Sequence, residues 1–205
     1  MARFENLDDM SSEYYDVLSE LGNIGAGNAA TALATMLQCK MDITVPKVRL
    51  LDFKDVCSVL GGEEQIMAGI DLMVEGDING SIMFLMDERS AHVLVEKVMG
   101  MPTEQEHSLT EMELSALKEV GNIITGAYLN SLATLTSMMI YPSVPYVSID
   151  MAGAILSVAA IEFGIMGDKI LMIETQLMDE TEINGYFLLM PDLESYDKIL
   201  SSLGL

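Results

Sequence analysis

The sequence predicts an α+β fold, internally duplicated about a pseudo-twofold axis, with long helices packed on a largely antiparallel sheet. Three observations carry this. The chain matches itself at a shift of 99 residues. Its two longest periodic segments have helical spacing. Each is followed by apolar runs of strand length bounded by turn residues.

The self-match is the strongest of the three, because internal repetition decides the architecture before any single element is read. Leu18-x-Glu20-x-Gly22-Asn23-Ile24-x-x-Gly27 shifts by 99 onto Leu117-x-Glu119-x-Gly121-Asn122-Ile123-x-x-Gly126. Leu33-Ala34-Thr35 falls on Leu132-Ala133-Thr134, and Pro46 on Pro145. At a shift of 105, Ile78-Asn79-Gly80 falls on Ile183-Asn184-Gly185. The chain is therefore expected to be one domain, 1–205, built from two similar halves at about 10–101 and 109–205.

Each half opens with a long helix, at about 11–38 and 110–137. The second has a capping-box pattern, Thr110-x-x-Glu113, in which each side chain satisfies a backbone donor that the helix leaves over. A strand marked by proline follows, near 45–52 and 145–150. Two hairpins come next, pairing 65–74 with 79–86 and 169–177 with 185–190; Glu75-Gly76-Asp77 supplies the first turn. Short helices at 88–99 and 193–203 close the halves. The apolar run 151–161 stands as an extra helix or strand of the second half. Paired strands covered by helices suggest two layers, and no linker of Pro, Gly or Ser divides the halves, so one continuous sheet is expected.

Composition narrows the function. Half of the residues are hydrophobic, enough for a packed core, and Asp plus Glu exceed Lys plus Arg by 32 to 10, a formal net charge of -22. Such a surface repels phosphate backbones and anionic headgroups, so nucleic acid and membrane lipid are poor partners. Cys39 and Cys57 lack a CxxC spacing and read as buried reduced thiols. The first twelve residues show no secretory pattern, and the run 151–161 is too short to span a bilayer, so no membrane insertion and a cytoplasmic location are expected.

On the first helix Leu18, Leu21, Ala29, Leu33 and Met36 fall on one side, while Asp16, Glu20, Asn23 and Gly27 follow i, i+4, i+7, i+11 spacing on the other. Ser115, Glu119, Asn122 and Gly126 repeat that polar side. A single polar stripe is what any surface helix shows. An outward Glu, Asn and Gly kept in both copies points to a shared task, since exposed positions with no task drift first. An Asn amide offers both a donor and an acceptor and can hold a water in line with a scissile bond. Such placement supplies most of the catalysis in phosphoryl transfer. A glutamate one turn away can engage a basic partner residue, and a mid-helix glycine, costing about 1 kcal/mol relative to alanine, clears room for another backbone.

Read with its long spacing, Asp/Ser-x3-Glu-x2-Asn-x22-Pro, the pattern resembles the signature of the CheC/CheX/FliY phosphatases of bacterial and archaeal chemotaxis. It occurs as Asp16, Glu20, Asn23, Pro46 and again as Ser115, Glu119, Asn122, Pro145. CheX-like members carry one such site and FliY-like members append a flagellar-switch domain, so two sites alone match the CheC-like branch. The resemblance implies that the substrate is phosphorylated CheY, whose aspartyl phosphate sits beside a bound Mg²⁺. No cofactor of the chain's own is implied. Asn23 and Asn122 would orient the attacking water and Glu20 and Glu119 would contact a lysine of the regulator. Asp16, Ser115, Gly27 and Gly126 would support or dock. The resemblance also implies a second partner, the receptor deamidase CheD, for which Asp150 and the following apolar run are the candidate docking surface. The chain would be monomeric when unbound.

Two other readings compete. A phosphate-binding loop at Gly22-x-x-Gly25-x-Gly27 is disfavoured because a helical pattern precedes the glycines, no Gly-Lys-Ser/Thr follows, and the second copy has Ile124 in place of Gly25. A non-catalytic module that holds phosphorylated CheY and CheD would use the same face and stays open. His92 and His107 have no partner ligands in the sequence and read as packing or surface residues; the Met residues read as core filling, and Glu180 with Glu182 as a solvated turn.

Overall fold

The computed structural model describes residues 12–38, 42–43, 47–101, 108–163, 169–178 and 182–204. Its elements run α1 (Ser12–Leu37), β1 (Asp42–Ile43), β2 (Lys47–Asp52), α2 (Phe53–Val59), β3 (Ile66–Gly76), β4 (Gly80–Asp87), α3 (Glu88–Met99) and α4 (Glu111–Thr136). They continue with β5 (Ile140–Pro142), β6 (Tyr146–Met151), α5 (Ala152–Phe163), β7 (Lys169–Met178), β8 (Glu182–Pro191) and α6 (Leu193–Ser202). The long helices, both hairpins and the closing helices stand where the sequence predicts. The short strands β1 and β5 and the helix α2 are additional.

Among the described residues the eight strands form one sheet, with β7, β8, β4 and β3 side by side in its middle. One edge is made by β1 and β2, which both pair with β7. The other is made by β5 and β6, which both pair with β3. Every pairing is antiparallel. At the centre Met83 pairs with Leu188, and 188 is 83 shifted by 105. That is the shift relating the two Ile-Asn-Gly turns, so the pseudo-twofold axis passes through this pair. The halves are interlocked: the leading strand of each, β2 or β6, pairs with the hairpin of the other.

Side chains alternate across each strand. On one face Ala68, Ile70, Leu72, Ile82, Phe84, Leu171, Ile173, Phe187 and Leu189 join α1, α3, α4 and α6 in the main core. On the other, Met67, Met83, Leu85, Ile170, Met172 and Leu188 join Val56 and Leu60 of the α2 region and Ala152, Ile155, Leu156 and Ala159 of α5. The expected two layers are thus three. The apolar run 151–161 is no addition peculiar to the second half: α5 has a seven-residue counterpart in α2.

The apolar side of α1 is buried as its periodicity requires, with Leu18, Leu21, Ala29 and Leu33 at most 7 % exposed. Small residues let it settle deeply: Gly22, Gly25, Ala26 and Ala30 are also buried. The N-terminus of α4 carries the predicted capping box, in which Thr110 N–H and Oγ1–H both donate to Glu113 Oε2 at 2.7 Å. Asp87 and Asp192 cap α3 and α6 in the same way, each accepting from the backbone N–H three residues on.

Candidate functional site

Burial of the leucine sides of α1 and α4 turns their polar sides outward. Asp16, Glu20, Ser115, Glu119 and Asn122 are exposed; Asn23, Gly27 and Gly126 are half-buried. Glu and Asn three positions apart on a helix are neighbours on its surface, so each pair forms one small ridge, fully projecting at Glu119 and Asn122 and partly sunk at Asn23. The eight stripe residues thus form two sets, one on each long helix, with Asn23, Gly27 and Gly126 less exposed than an outward side predicts. Pro145 is buried just before β6. Its counterpart Pro46 lies outside the described residues, as do Cys39, His107 and Glu180.

The glycines of the two helices divide by neighbour. A β-carbon at Gly27 or Gly126 would meet nothing within 4 Å. At Gly22 it would lie 3.0 Å from Val48 Cγ2 and 3.2 Å from Ile173, and at Gly121 it would overlap Ile70. Gly22 and Gly121 are thus required by packing against the sheet. Gly27 and Gly126 have no such reason inside the protein, although glycine at mid-helix costs about 1 kcal/mol relative to alanine.

The two asparagines differ. Asn23 Oδ1 is buried with no hydrogen-bond donor, whereas Asn122 is exposed. Between the helices runs an open groove lined by Ile24, Asn28, Ala127, Asn130, Ser131, Thr134 and Leu135, with a volume of about 360 Å³. Asn28 Nδ2 donates across it to Ser131 Oγ at 2.8 Å, and Ser131 Oγ donates to Ala127 O at 2.8 Å. Self-comparison passed over Asn28 because its counterpart is Ala127. The signal that could have found it is a polar residue beside the stripe that faces a second helix. Thr31 and Thr134 extend the outward faces; their hydroxyls donate to Gly27 O and Asn130 O at 2.9 and 2.8 Å.

Asp150 does not join these faces. It lies on β6 opposite Met67, on the α5 side of the sheet, where its Oδ1 accepts the Met151 N–H at 2.7 Å. With Asp71, Tyr146, Ser148, Ile155 and Val158 it lines a groove of about 200 Å³ beside α5. Val158 and Ile161 of α5 are 55 % and 78 % exposed. His92 is buried on α3, in keeping with a packing role, and Glu182 is the first residue of β8. Cys57 is half-buried rather than buried; desolvation, with Glu63 nearby, pushes its thiol up. Among the described residues no group of three or more His, Cys, Asp or Glu side chains is placed to hold a metal, and no helix is long and apolar enough to cross a membrane.

Residues 15–49 and 112–149 match the model of the CheC-like family, and these segments contain both stripes. The chain is 38 % identical over 200 residues to the CheY-P phosphatase CheC of Bacillus subtilis, covering 95 % of this chain and 96 % of that protein. Its fold is similar to that of Thermotoga maritima FliY, with a TM-score of 0.74 at 24 % identity over 96 % of this chain and 98 % of the other. It is also similar in fold to a chain of the CheX–CheY–BeF3–Mg²⁺ complex of Borrelia burgdorferi, with a TM-score of 0.54 at 16 % identity over 81 % of this chain and 95 % of that one.

Proposed function

This chain belongs to the CheC-like family, and from that membership we propose that it is a phosphatase acting on the aspartyl phosphate of the chemotaxis response regulator CheY. The observation that carries the reading is the pair of Glu-x-x-Asn ridges, each followed by a glycine with open space above it. A ridge suits a substrate that has its own cleft. The phosphorylated regulator is such a substrate, because the bond to be broken lies in the regulator's own acidic pocket.

In this reading Asn23 or Asn122 enters that pocket. The amide carbonyl accepts a hydrogen bond from a water and the amide N–H₂ donates to the water or to the phosphoryl oxygens. The water attacks phosphorus, the bond to the aspartyl oxygen breaks, inorganic phosphate leaves with the water's oxygen, and the aspartate returns as carboxylate. Both protons of the water leave with the phosphate, as dihydrogen phosphate. Mg²⁺ supplied by the regulator would offset charge on the phosphoryl oxygens. Glu20 or Glu119 pairs with a lysine of the regulator and fixes the approach, so the asparagine holds the water near its line of attack. Asp16 and Ser115 flank the approach, and Gly27 and Gly126 admit the regulator's backbone.

Replacing Asn23 and Asn122 by alanine together should abolish phosphate release while leaving the fold and regulator binding largely intact. Each single variant should retain the activity of the other site. Normal dephosphorylation by the double variant would overturn the water-orienting role. Stoichiometric binding of phosphorylated CheY without turnover by the native protein would instead favour the non-catalytic module. Charge reversal at Glu20 and Glu119 should weaken binding.

CheD is proposed as the second partner, docking on the α5 side at Asp150 and the apolar surface of Val158 and Ile161. The net charge of -22 opposes self-association, which supports a monomer before partners bind. The proposed location is the cytoplasm.

A further inference from the structure

Immediately before each stripe asparagine stands a glycine pressed against the sheet, Gly22 before Asn23 and Gly121 before Asn122. The residues they meet belong to one row across the sheet. Strand register pairs Val48 with Ile173, Ile173 with Phe187, Phe187 with Phe84, Phe84 with Ile70, and Ile70 with Val147. In the middle of the row, next to the Met83–Leu188 pair, the Phe84 and Phe187 rings lie 4.6 Å apart. Its four central residues are at most 2 % exposed.

The interlocking of the halves gives this row an unusual property. Ile173, beneath Gly22 of the first-half helix, belongs to the second-half strand β7. Ile70, beneath Gly121 of the second-half helix, belongs to the first-half strand β3. We infer that Ile173 and Ile70 are positioning residues for Asn23 and Asn122 respectively, so that the hairpin of each half sets the reach of the asparagine carried by the other. The inference rests on the phosphatase reading of the stripes.

The physical argument is one of rigid support. A helix that carries glycine at its contact has its backbone in direct touch with the isoleucine, and no side chain of its own takes up slack. A close-packed interior passes a lost methyl on as a shift of the backbone above it. The asparagine is the next residue along. Water positioning tolerates little displacement, and a misplacement of about 1 Å can cost as much as a hundredfold in rate. The exposed glutamates that engage the regulator bind through long, adaptable side chains. A loosened seat should therefore lower kcat and leave KM nearly unchanged.

The test uses each site alone, in the full chain. In an Asn122→Ala background only the Asn23 site works; in an Asn23→Ala background only the Asn122 site works. Ile173→Val should lower kcat roughly three- to tenfold in the first background and leave the second near its starting value. Ile70→Val should do the reverse, with KM unchanged in both cases. Gly121→Ala, which pushes α4 away from Ile70, should slow the Asn122 site selectively. Thermal melts accompany each assay, because a merely structural role would lower stability and slow both sites alike. Equal effects on both sites, or no effect on either, would overturn the inference. The phosphatase reading fails separately, if the variant lacking both asparagines keeps its activity.

Discussion

Gly25 on α1 lies beneath the ring of Tyr128 on α4, so closely that a β-carbon at position 25 would overlap the ring. Tyr128 is itself 1 % exposed and stacks on Phe187 with ring centroids 5.6 Å apart, so it has no room to retreat. Its counterpart in the repeat is Ala29, and that of Gly25 is Ile124, so the helix pair is joined asymmetrically. Gly25→Ala should destabilise the protein by about 1–3 kcal/mol through overpacking, despite alanine's better helix propensity. Urea denaturation measures this directly. An unchanged midpoint would mean that the ring moves aside.

Gly27 and Gly126 should respond in the opposite sense. With nothing within 4 Å of a β-carbon at either, Gly27→Ala and Gly126→Ala should each add up to about 1 kcal/mol of stability from helix propensity alone. If these glycines admit the regulator's backbone, the same substitutions should weaken regulator binding. Paired melts and binding isotherms would show stability and affinity moving apart; a gain in stability with unchanged affinity would remove both residues from the docking face.

Asn23 is held against stability. A buried acceptor without a donor costs about 1–3 kcal/mol, and Asn23 Oδ1 is such an atom in the free protein, whereas Asn122 is exposed. Asn23→Ala should therefore stabilise the chain more than Asn122→Ala, although both are expected to remove phosphatase activity at their own site. Chemical denaturation of the two single variants gives the comparison. Destabilisation by Asn23→Ala would mean that its amide contributes to the fold.

The first turn of α4 should weaken in acid. The backbone hydrogen bond from Thr110, then the bond from its hydroxyl, hold the Glu113 carboxyl below the usual glutamate range. For an acid with a depressed pKa in the fold, the contribution is complete above the unfolded pKa and is lost as pH falls through the folded one. The stability difference between native protein and Glu113→Gln should thus be constant near neutrality and shrink below the ordinary carboxylate range. Thr110→Ala should cost about 1 kcal/mol at neutral pH. Stability curves of the three proteins from neutral pH into acid check both statements. Because Glu119 and Asn122 follow on the same helix, hydrogen exchange at their amides should rise in Thr110→Ala.

Much of this was legible in the sequence because repetition and periodicity point the same way. The stripes were found from spacing alone, since Leu18 and Leu33 fix which side of α1 is buried and Glu20 must then face out. The third layer was not legible. α2 has seven residues, among them Lys54, Asp55 and Ser58, too short and mixed for a hydrophobic period, while α5 is apolar nearly all round and offers no polar face to orient it. The unequal burial of Asn23 and Asn122 was not legible either, because the same Glu-x-Gly-Asn-Ile stretch surrounds both. Nor can similarity between halves reveal which strand pairs with which: it shows β2 and β6 to be equivalent and is silent on their partners.

Those partners lead to a prediction about folding. Of the seven strand pairings among the described residues, only β3 with β4 and β7 with β8 lie within a half; the other five join one half to the other. A fragment of residues 108–205 would keep the β7–β8 hairpin but lose β2 from one side of it and β4 from the other. It would uncover the parts of that hairpin on which α1 and α3 rest, along with the α4 surface that meets Ile70 of β3. Two-stranded sheets are marginal in water, so neither fragment 1–101 nor fragment 108–205 should fold alone as a monomer. Mixed together they should assemble, because five strand pairings and the α1–α4 contact form only between them. Circular dichroism of each fragment, then of an equimolar mixture, gives the readout, with phosphate release from phosphorylated CheY as the functional check. The variant Ile70→Asp in fragment 1–101 should prevent assembly by placing a charge in the central row beneath α4. Native-like spectra and cooperative melting for either fragment as an isolated monomer would show that a half carries its own fold, and the interlocked sheet would then be a docking of two independent units.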